Sequence, residues 1–469
     1  MALPAPGAKW WPALVVAGLL AGCAVFQPRP IEPAKVEAEF RGRSLQDPGL
    51  RAYLDRGRAA GRPAPGTLDL GEITLVAFYF HPDLDVARAR VAVAEAGVLT
   101  AGGRPNPRVS LVPEYNADAL AGVSPWILGF SLDIPVETAG KRGYRIAHAE
   151  RLTEAARLEL AEAAWRVRSV VRAALLEHLF AQREVELRQA EERIRAESVL
   201  VMEKRIAVGD VSRPDVDSAR AELASTRLAL RAAAGRVTES RAVLAAAVGL
   251  PVSALEDVAV IGPDLDGVPL GEAPAAGEIQ RAGLVNRADV RRALAEYAAA
   301  ESLLRLEIAR QYPDVHVGPG YTFDQGDDKF SIGLAVTLPV LNRNEGPIAE
   351  AEARRRERAA RFLAIQSSAI GEIERALGRY RAAAAEVTEA DAALRLLEAR
   401  ERATARALEL GEADRLALVG VSLQRALAAR GRLEALRKVH AALGALEDAV
   451  QRPLLDGGAT PELPAGSPR

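Results

Sequence analysis

The chain has 469 residues, with 61 Lys and Arg against 63 Asp and Glu, so its formal net charge is −2. That balance excludes a nucleic-acid binder driven by a basic field. One Cys excludes an internal disulfide framework and any Cys-clustered zinc or iron–sulfur site, and five His leave little for a His-rich metal centre. Aromatic residues are only 4%; Ala, Arg, Leu and Glu dominate, which is the composition of long helices.

In chain order, Lys9 precedes an apolar stretch over residues 10–20, which has the length of a signal peptide and is too short to span a membrane. It ends in Leu20-Ala21-Gly22-Cys23, and Cys23 is the only Cys. The segment resembles a bacterial lipoprotein signal, which implies removal of residues 1–22 and lipid on Cys23. Position 24 is Ala rather than Asp, so the inner-membrane retention signal of such lipoproteins is absent and an outer-membrane tether is expected. Acyl chains anchor by roughly 0.8 kcal/mol per buried CH₂. The alternative is an ordinary export signal with a chance Cys. Residues 23–66 read as an N-terminal extension, and no later apolar run approaches the length of a transmembrane helix.

The remainder is written twice. Asp83-Leu84 matches Asp289-Val290, Pro107-Arg108-Val109 matches Pro313-Asp314-Val315, and Tyr115 matches Tyr321, each at an offset of 206. Ile134-Pro135 matches Leu338-Pro339 at 204, and Gly209 matches Gly411 at 202. So long a period argues for duplication rather than a solenoid. The repeats are expected over 67–250 and 281–452. Residues 251–280, rich in Gly, Pro, Ala and Asp, read as a linker or irregular cap, and 453–469 as a disordered tail.

Each repeat begins with a helix, 82–100 and 287–310, that stops before Pro105 or Pro313. The hydrophobic period then changes to two. Trp126, Leu128, Phe130, Leu132 and Ile134 oppose Ile127, Gly129, Ser131 and Asp133. Phe330, Ile332, Leu334, Val336 and Leu338 oppose Ser331, Gly333, Ala335 and Thr337. The preceding strands alternate likewise: Val109, Leu111 and Tyr115 against Ser110 and Glu114, then Val315, Val317, Tyr321 and Phe323 against His316, Gly318, Gly320 and Thr322. Apolar on one face and small or polar on the other, over about 9–11 residues, is the pattern of transmembrane barrel strands. The same pattern fits a sheet covered by helices on one face. Four strands cannot close a barrel, since about eight is the smallest, and lipid tolerates no open edge. If these strands span a membrane, further copies must complete the wall; three give twelve strands.

Residues 145–208 contain neither Gly nor Pro within the helical run up to Val208, and their copy spans 348–410. At about 1.5 Å per residue the first is a rod of roughly 95 Å. Return helices follow over 214–248 and 414–450, with Pro214 in the favoured first turn. Their many Ala residues permit close helix packing.

These features together resemble the TolC family of outer-membrane efflux channels over residues 40–452. The resemblance rests on the duplicated strand pairs ending in Ile134-Pro135 and Leu338-Pro339. It rests also on the segments Ala139-Gly140-Lys141-Arg142-Gly143 and Asn342-Arg343-Asn344-Glu345-Gly346, and on the hairpins Val208-Gly209-Asp210-Val211-Ser212 and Leu410-Gly411-Glu412-Ala413-Asp414. The stretches Arg104-Pro105-Asn106-Pro107, Ser124-Pro125-Trp126-Ile127 and Asp133-Ile134-Pro135 look most like CzcC-like components of heavy-metal resistance pumps. The resemblance implies a mostly helical α+β fold with internal duplication. Four transmembrane strands per chain would contribute to a trimeric twelve-stranded barrel above a periplasmic coiled-coil barrel. It also implies a homotrimer in the outer membrane that docks through a periplasmic adaptor onto an inner-membrane pump of the RND type, without cofactor, catalysis or nucleic acid. A coiled-coil scaffold lipoprotein in the periplasm is the competing reading.

No G-x-S-x-G, P-loop or H-E-x-x-H motif occurs, and the five His lack metal-ligand spacing. Of these, His316 alone falls on the expected lumen face. The resemblance places acids near the hairpin glycines around the channel entrance. Asp215, six residues after Gly209, fits that place, whereas Ala417 stands six after Gly411. Asp210, Glu412 and Asp414 lie at the tips. An acidic ring would favour cations; equally, Asp215 is a residue favoured in any first helical turn.

Overall fold

A computed structural model describes residues 24–57, 67–256, 258–271 and 273–455. The signal segment, Cys23 and most of the expected disordered tail lie outside the described residues. Residues up to Arg43 form one compact unit and those from Ser44 onward another. The first carries helix α1 (Pro33–Arg41), which has no buried residue.

The second unit opens with α2 (Pro48–Gly57), strand β1 (Thr67–Leu68) and α3 (Leu70–Phe80). The first repeat continues with α4 (Pro82–Gly102), β2 (Arg108–Tyr115), β3 (Trp126–Val136), α5 (Lys141–Ile206) and α6 (Arg213–Val248). A 3₁₀ turn (Val252–Leu255) and β4 (Ala259–Val260) lead to the second repeat. That repeat comprises α7 (Ala276–Asn286), α8 (Ala288–Ala309), β5 (Val315–Asp324), β6 (Asp327–Val336), α9 (Glu345–Glu409) and α10 (Arg415–Val450). None of the described helices is long and apolar enough to cross a membrane.

The duplication reaches further than the sequence pattern suggests. Helices α3 and α7 are both 11 residues long and stand 206 positions apart. The second repeat therefore starts at Ala276, inside the expected linker. The rest of that linker is also built: β4 pairs in parallel with β1, and Leu270 exchanges two hydrogen bonds with the buried Tyr380 hydroxyl, each 2.9 Å. The expected tail begins in order, with Pro453 buried and the Leu454 N–H donating to Glu447 at 2.9 Å.

Helices α5 and α9 have 66 and 65 residues, or roughly 100 Å each at 1.5 Å per residue. Each folds back into a shorter partner through a left-handed glycine, Gly209 (φ 78°) or Gly411 (φ 75°), a conformation that costs other residues about 1–2 kcal/mol. The apolar core gathers where both hairpins meet the short helices. Ile73, Val171, Leu175, Leu244 and Val248 pack together in one cluster, and Ile279, Ile373, Leu377, Leu446 and Val450 in its duplicate.

Candidate functional site

The four long strands form a meander ordered β2-β3-β5-β6, antiparallel throughout. The join between the repeats is β3 on β5, paired at Phe130–Tyr321 and Ser131–Gly320. Pairs are recorded from Ile127 to Ser131 and from Ile134 to Val136; Pro319, which has no N–H to donate, lies in the gap. Strands β2 and β6 are left as edges.

Register assigns the faces, because residues directly opposite in a sheet share one. Val109, Leu132, Leu111, Phe130, Tyr321 and Phe330 lie in connected pairs on one face, as do Val317 with Leu334 and Pro319 with Ile332. This face is bare: Phe330 is 84% exposed, Ile332 81% and Leu334 72%. Among the described residues no helix covers it, so the covered-sheet alternative fails. The apolar face carries aromatic pairs, Tyr115–Trp126 with centroids 5.1 Å apart and Tyr321–Phe330 at 5.3 Å. The other face carries Ser110, Gly129, Ser131, Gly320, Ser331, Gly333 and Ala335. His316 is on that small, polar face as expected, with Nδ1 2.9 Å from Asp133. The sheet ends at Val336, so Leu338, expected to continue it, lies beyond the strand.

The strands are fixed to the helices by charges at the sheet's base. Lys141, nearly buried, donates to Asp314 at 2.7 Å, and the Thr138 N–H donates to the same oxygen at 2.9 Å. Burial pushes the Asp314 carboxyl up, but these donors outweigh it and hold it below its ordinary value. Arg142 and Arg145 donate to the carbonyls of Ala101, Gly102 and Gly103 at 2.8–3.2 Å, which satisfies the end of α4 where the helix dipole favours cations. In the second repeat, Asn344 Nδ2 donates to the Glu307 carbonyl at 2.8 Å.

At the far end the hairpin acids separate into distinct roles. Ser212 and Asp215 form a capping box: Ser212 N–H donates to the Asp215 carboxylate at 3.1 Å, and Asp215 N–H to Ser212 Oγ at 3.4 Å. The Ser212 hydroxyl and N–H lower the Asp215 pKa. Asp414 caps α10 through the Ala417 N–H at 2.6 Å, so Ala417 supplies a backbone donor where an acid was sought. Arg205 reaches Asp414 at 2.9 Å and Asp210 at 3.5 Å. The Ala417 N–H and then Arg205 lower the Asp414 pKa. Arg415 pairs with Glu197 of α5, so the tips of both hairpins are tied by two ion pairs. Glu412 is an exposed turn residue. Arg205, Arg415 and Glu197 were not singled out in the sequence; the available signal was an Arg in the last turn of α5, just before the acid-bearing hairpin.

Among the described residues no group of three or more His, Cys, Asp or Glu could hold a metal ion. His148 contacts the Ala299 carbonyl at 2.8 Å, His178 the Ser240 hydroxyl at 3.0 Å, and His81 accepts from the Asp83 N–H at 3.3 Å. These are packing and capping roles.

Comparison with known proteins agrees with this architecture. Residues 80–250 match the family model of outer membrane efflux proteins. The chain is 30% identical over 288 residues to the cobalt-zinc-cadmium resistance protein CzcC of Cupriavidus metallidurans, a match covering 61% of this chain and 66% of that one. Among solved structures, the outer membrane protein VceC of Vibrio cholerae aligns with a TM-score of 0.65 at 23% identity, over 81% of this chain and 95% of that one. The outer-membrane channel OprN aligns at 0.67 and 18%, over 92% and 99%. The open-state MtrE outer membrane channel of Neisseria gonorrhoeae aligns at 0.65 and 16%, over 82% and 89%. Strand meander, paired helical hairpins and family match coincide: the chain belongs to the outer membrane efflux protein family.

Proposed function

We propose that three copies of this chain close a twelve-stranded barrel in the outer membrane and act as the exit duct of a tripartite efflux system. The observation that carries this reading is the four-stranded sheet, apolar and bare on one face, small and polar on the other, with both edges open. In lipid an unpaired edge costs several kcal/mol per unsatisfied group. Pairing β6 of one copy with β2 of the next removes every edge and turns the apolar face outward. The helical hairpins, roughly 100 Å long, then extend through the periplasm toward an adaptor protein and an RND-type inner-membrane pump.

The cargo we propose is heavy-metal cations. The relative CzcC is named for cobalt, zinc and cadmium resistance. The polar face also carries Glu114, Asp133, Asp324 and Asp327 against Arg108 and Lys329, an acidic balance that favours cations. His316 would then face the lumen. Asp215, with Asp210, Glu412 and Asp414, would stand at the periplasmic entrance, with Asp210 and Asp414 held by Arg205.

Cys23 is proposed as the lipid attachment site; a Cys23→Ser protein that still incorporates labelled palmitate refutes that part. The function itself is tested by deleting the gene and measuring tolerance to zinc, cobalt and cadmium. Increased sensitivity that the wild-type gene reverses supports metal export, and unchanged tolerance to all three contradicts the metal cargo.

A further inference from the structure

A cluster of buried charge lies away from both the strands and the tips, where α5, α10 and the segment after β4 meet. Arg168 and Arg172 of α5 and Glu447 of α10 are each more than nine-tenths buried. Arg172 is well matched: it donates to Glu447 at 2.7 Å, to Asp448 at 2.8 Å and to the Gly444 carbonyl at 2.8 Å. Arg168 is not. Its hydrogen bond is to the same Glu447 oxygen at 3.3 Å, and its guanidinium otherwise lies over the Trp165 ring at 4.9 Å. A guanidinium has five N–H donors, so most of its donating capacity is unused among the described residues.

Both arginines line a cavity of about 320 Å³, a size at the lower end of small-molecule sites. Its walls are apolar along Leu175, Leu176, Leu443 and Ile261. At its other end stands His440, 2% exposed, whose Nε2 has no hydrogen-bond partner. A buried ring nitrogen without a partner is costly in either tautomer. Burial lowers the His440 pKa, with Asp264 and the Gly267 backbone offsetting part of the effect. His440 and Glu447 are seven residues apart on α10, or about 10 Å along the axis. The cavity thus presents the Arg168 guanidinium beside the Glu447 carboxylate, an apolar wall, the Asp69 carboxylate already engaged in capping α3, and the buried His440 ring about 10 Å along α10 from Glu447.

We infer that this cavity is a binding site for an elongated amphipathic carboxylate, with its acid group on Arg168, its apolar body along Leu175, Leu176 and Leu443, and a distal hydroxyl or amide on His440. Such a ligand would bridge α5 of the first repeat and α10 of the second. The site lies within one chain, between its two repeats, and does not depend on the cargo.

The test uses the full-length protein purified in detergent and isothermal titration calorimetry with three rigid probes. These are 6-hydroxy-2-naphthoate, which carries both polar ends, 2-naphthoate, which lacks the hydroxyl, and 2-naphthol, which lacks the acid. The expected order of affinity is hydroxynaphthoate, naphthoate, naphthol, with at least tenfold between first and last. Arg168→Gln is expected to weaken both acids at least tenfold and leave naphthol unchanged. His440→Leu is expected to abolish the advantage of hydroxynaphthoate over naphthoate. No saturable binding of the acids, or naphthol binding as tightly as they do, overturns the proposal using wild-type protein alone. Equal acid affinity in Arg168→Gln overturns it independently.

Discussion

Replacing Ile332 by Arg tests the orientation of the sheet. Ile332 lies near the middle of the ten-residue strand β6, faces the same side as Leu334 and Phe330, and is 81% exposed. If that face meets lipid, an Arg near the midplane costs roughly 2–4 kcal/mol per chain. A trimer incurs it three times, roughly 6–12 kcal/mol in total on the same scale. That is comparable with the whole stability of an ordinary domain, about 5–15 kcal/mol. Ser331, one residue away, faces the opposite side, against Gly320. Ser331→Arg should therefore assemble normally and alter only conductance. The assay is the yield of heat-resistant trimer in outer-membrane fractions, followed by single-channel recording. Similar loss of trimer in both variants, or in neither, refutes the assignment of faces.

Three further outcomes follow from the same geometry. Arg205→Gln leaves Asp210 and Asp414 without their shared cation; the tips should loosen and single-channel conductance rise, and unchanged conductance contradicts a latch at this place. The sign of its pH dependence follows from Asp414, whose pKa is lowered in the folded protein first by the Ala417 N–H and then by Arg205. Its contribution is present above the unfolded carboxylate pKa and lost as pH falls through the lowered value, so wild-type conductance should rise on acidification and the Arg205→Gln difference should shrink. Asp215→Asn should lower cation selectivity with little change in helix content, since the Asn side-chain oxygen can still accept the Ser212 N–H; an unchanged reversal potential leaves Asp215 as a member of the capping box alone. Gly249→Ala forces φ +81° on a residue with a Cβ and brings that carbon 3.0 Å from the Phe80 carbonyl oxygen; a loss of at least about 1–2 kcal/mol is expected, read from denaturant unfolding, and an unshifted midpoint contradicts it.

The elements with a clear period were legible in the sequence. Alternation located β3 from Trp126, because one face of the strand is apolar and the other small or polar; the lack of Gly and Pro over 145–208 located α5, and α9 followed as its copy despite Gly371 and Gly378. Helix α3 escaped for the opposite reason. Nine of its residues, Glu72 to Phe80, are buried, so Leu-Gly-Glu-Ile-Thr-Leu-Val-Ala-Phe-Tyr-Phe shows no polar stripe and no period. Its copy α7 was hidden in a stretch rich in Gly, Pro and Ala. The end of β6 was placed too late because Leu338 keeps the alternation while hydrogen-bond pairing ends at Val336.

Within the candidate site, the strand faces and the hairpin glycines could be read locally. The partners of the acids could not. Arg205 and Asp414 belong to different repeats and meet only through tertiary packing. Arg168 and Arg172 look like solvated positions on an Arg-rich helix, yet they are buried against Glu447. Local pattern reports which face is apolar; it does not report which charge from 200 residues away will cover it.

The central claim, that copies of this chain close a conducting barrel, is tested most directly by adding purified protein to a planar lipid bilayer and recording current. The account predicts heat-resistant trimers that insert and give discrete, cation-selective steps. A monomer that stays soluble without detergent once Cys23 is replaced, and that produces no current, would contradict it.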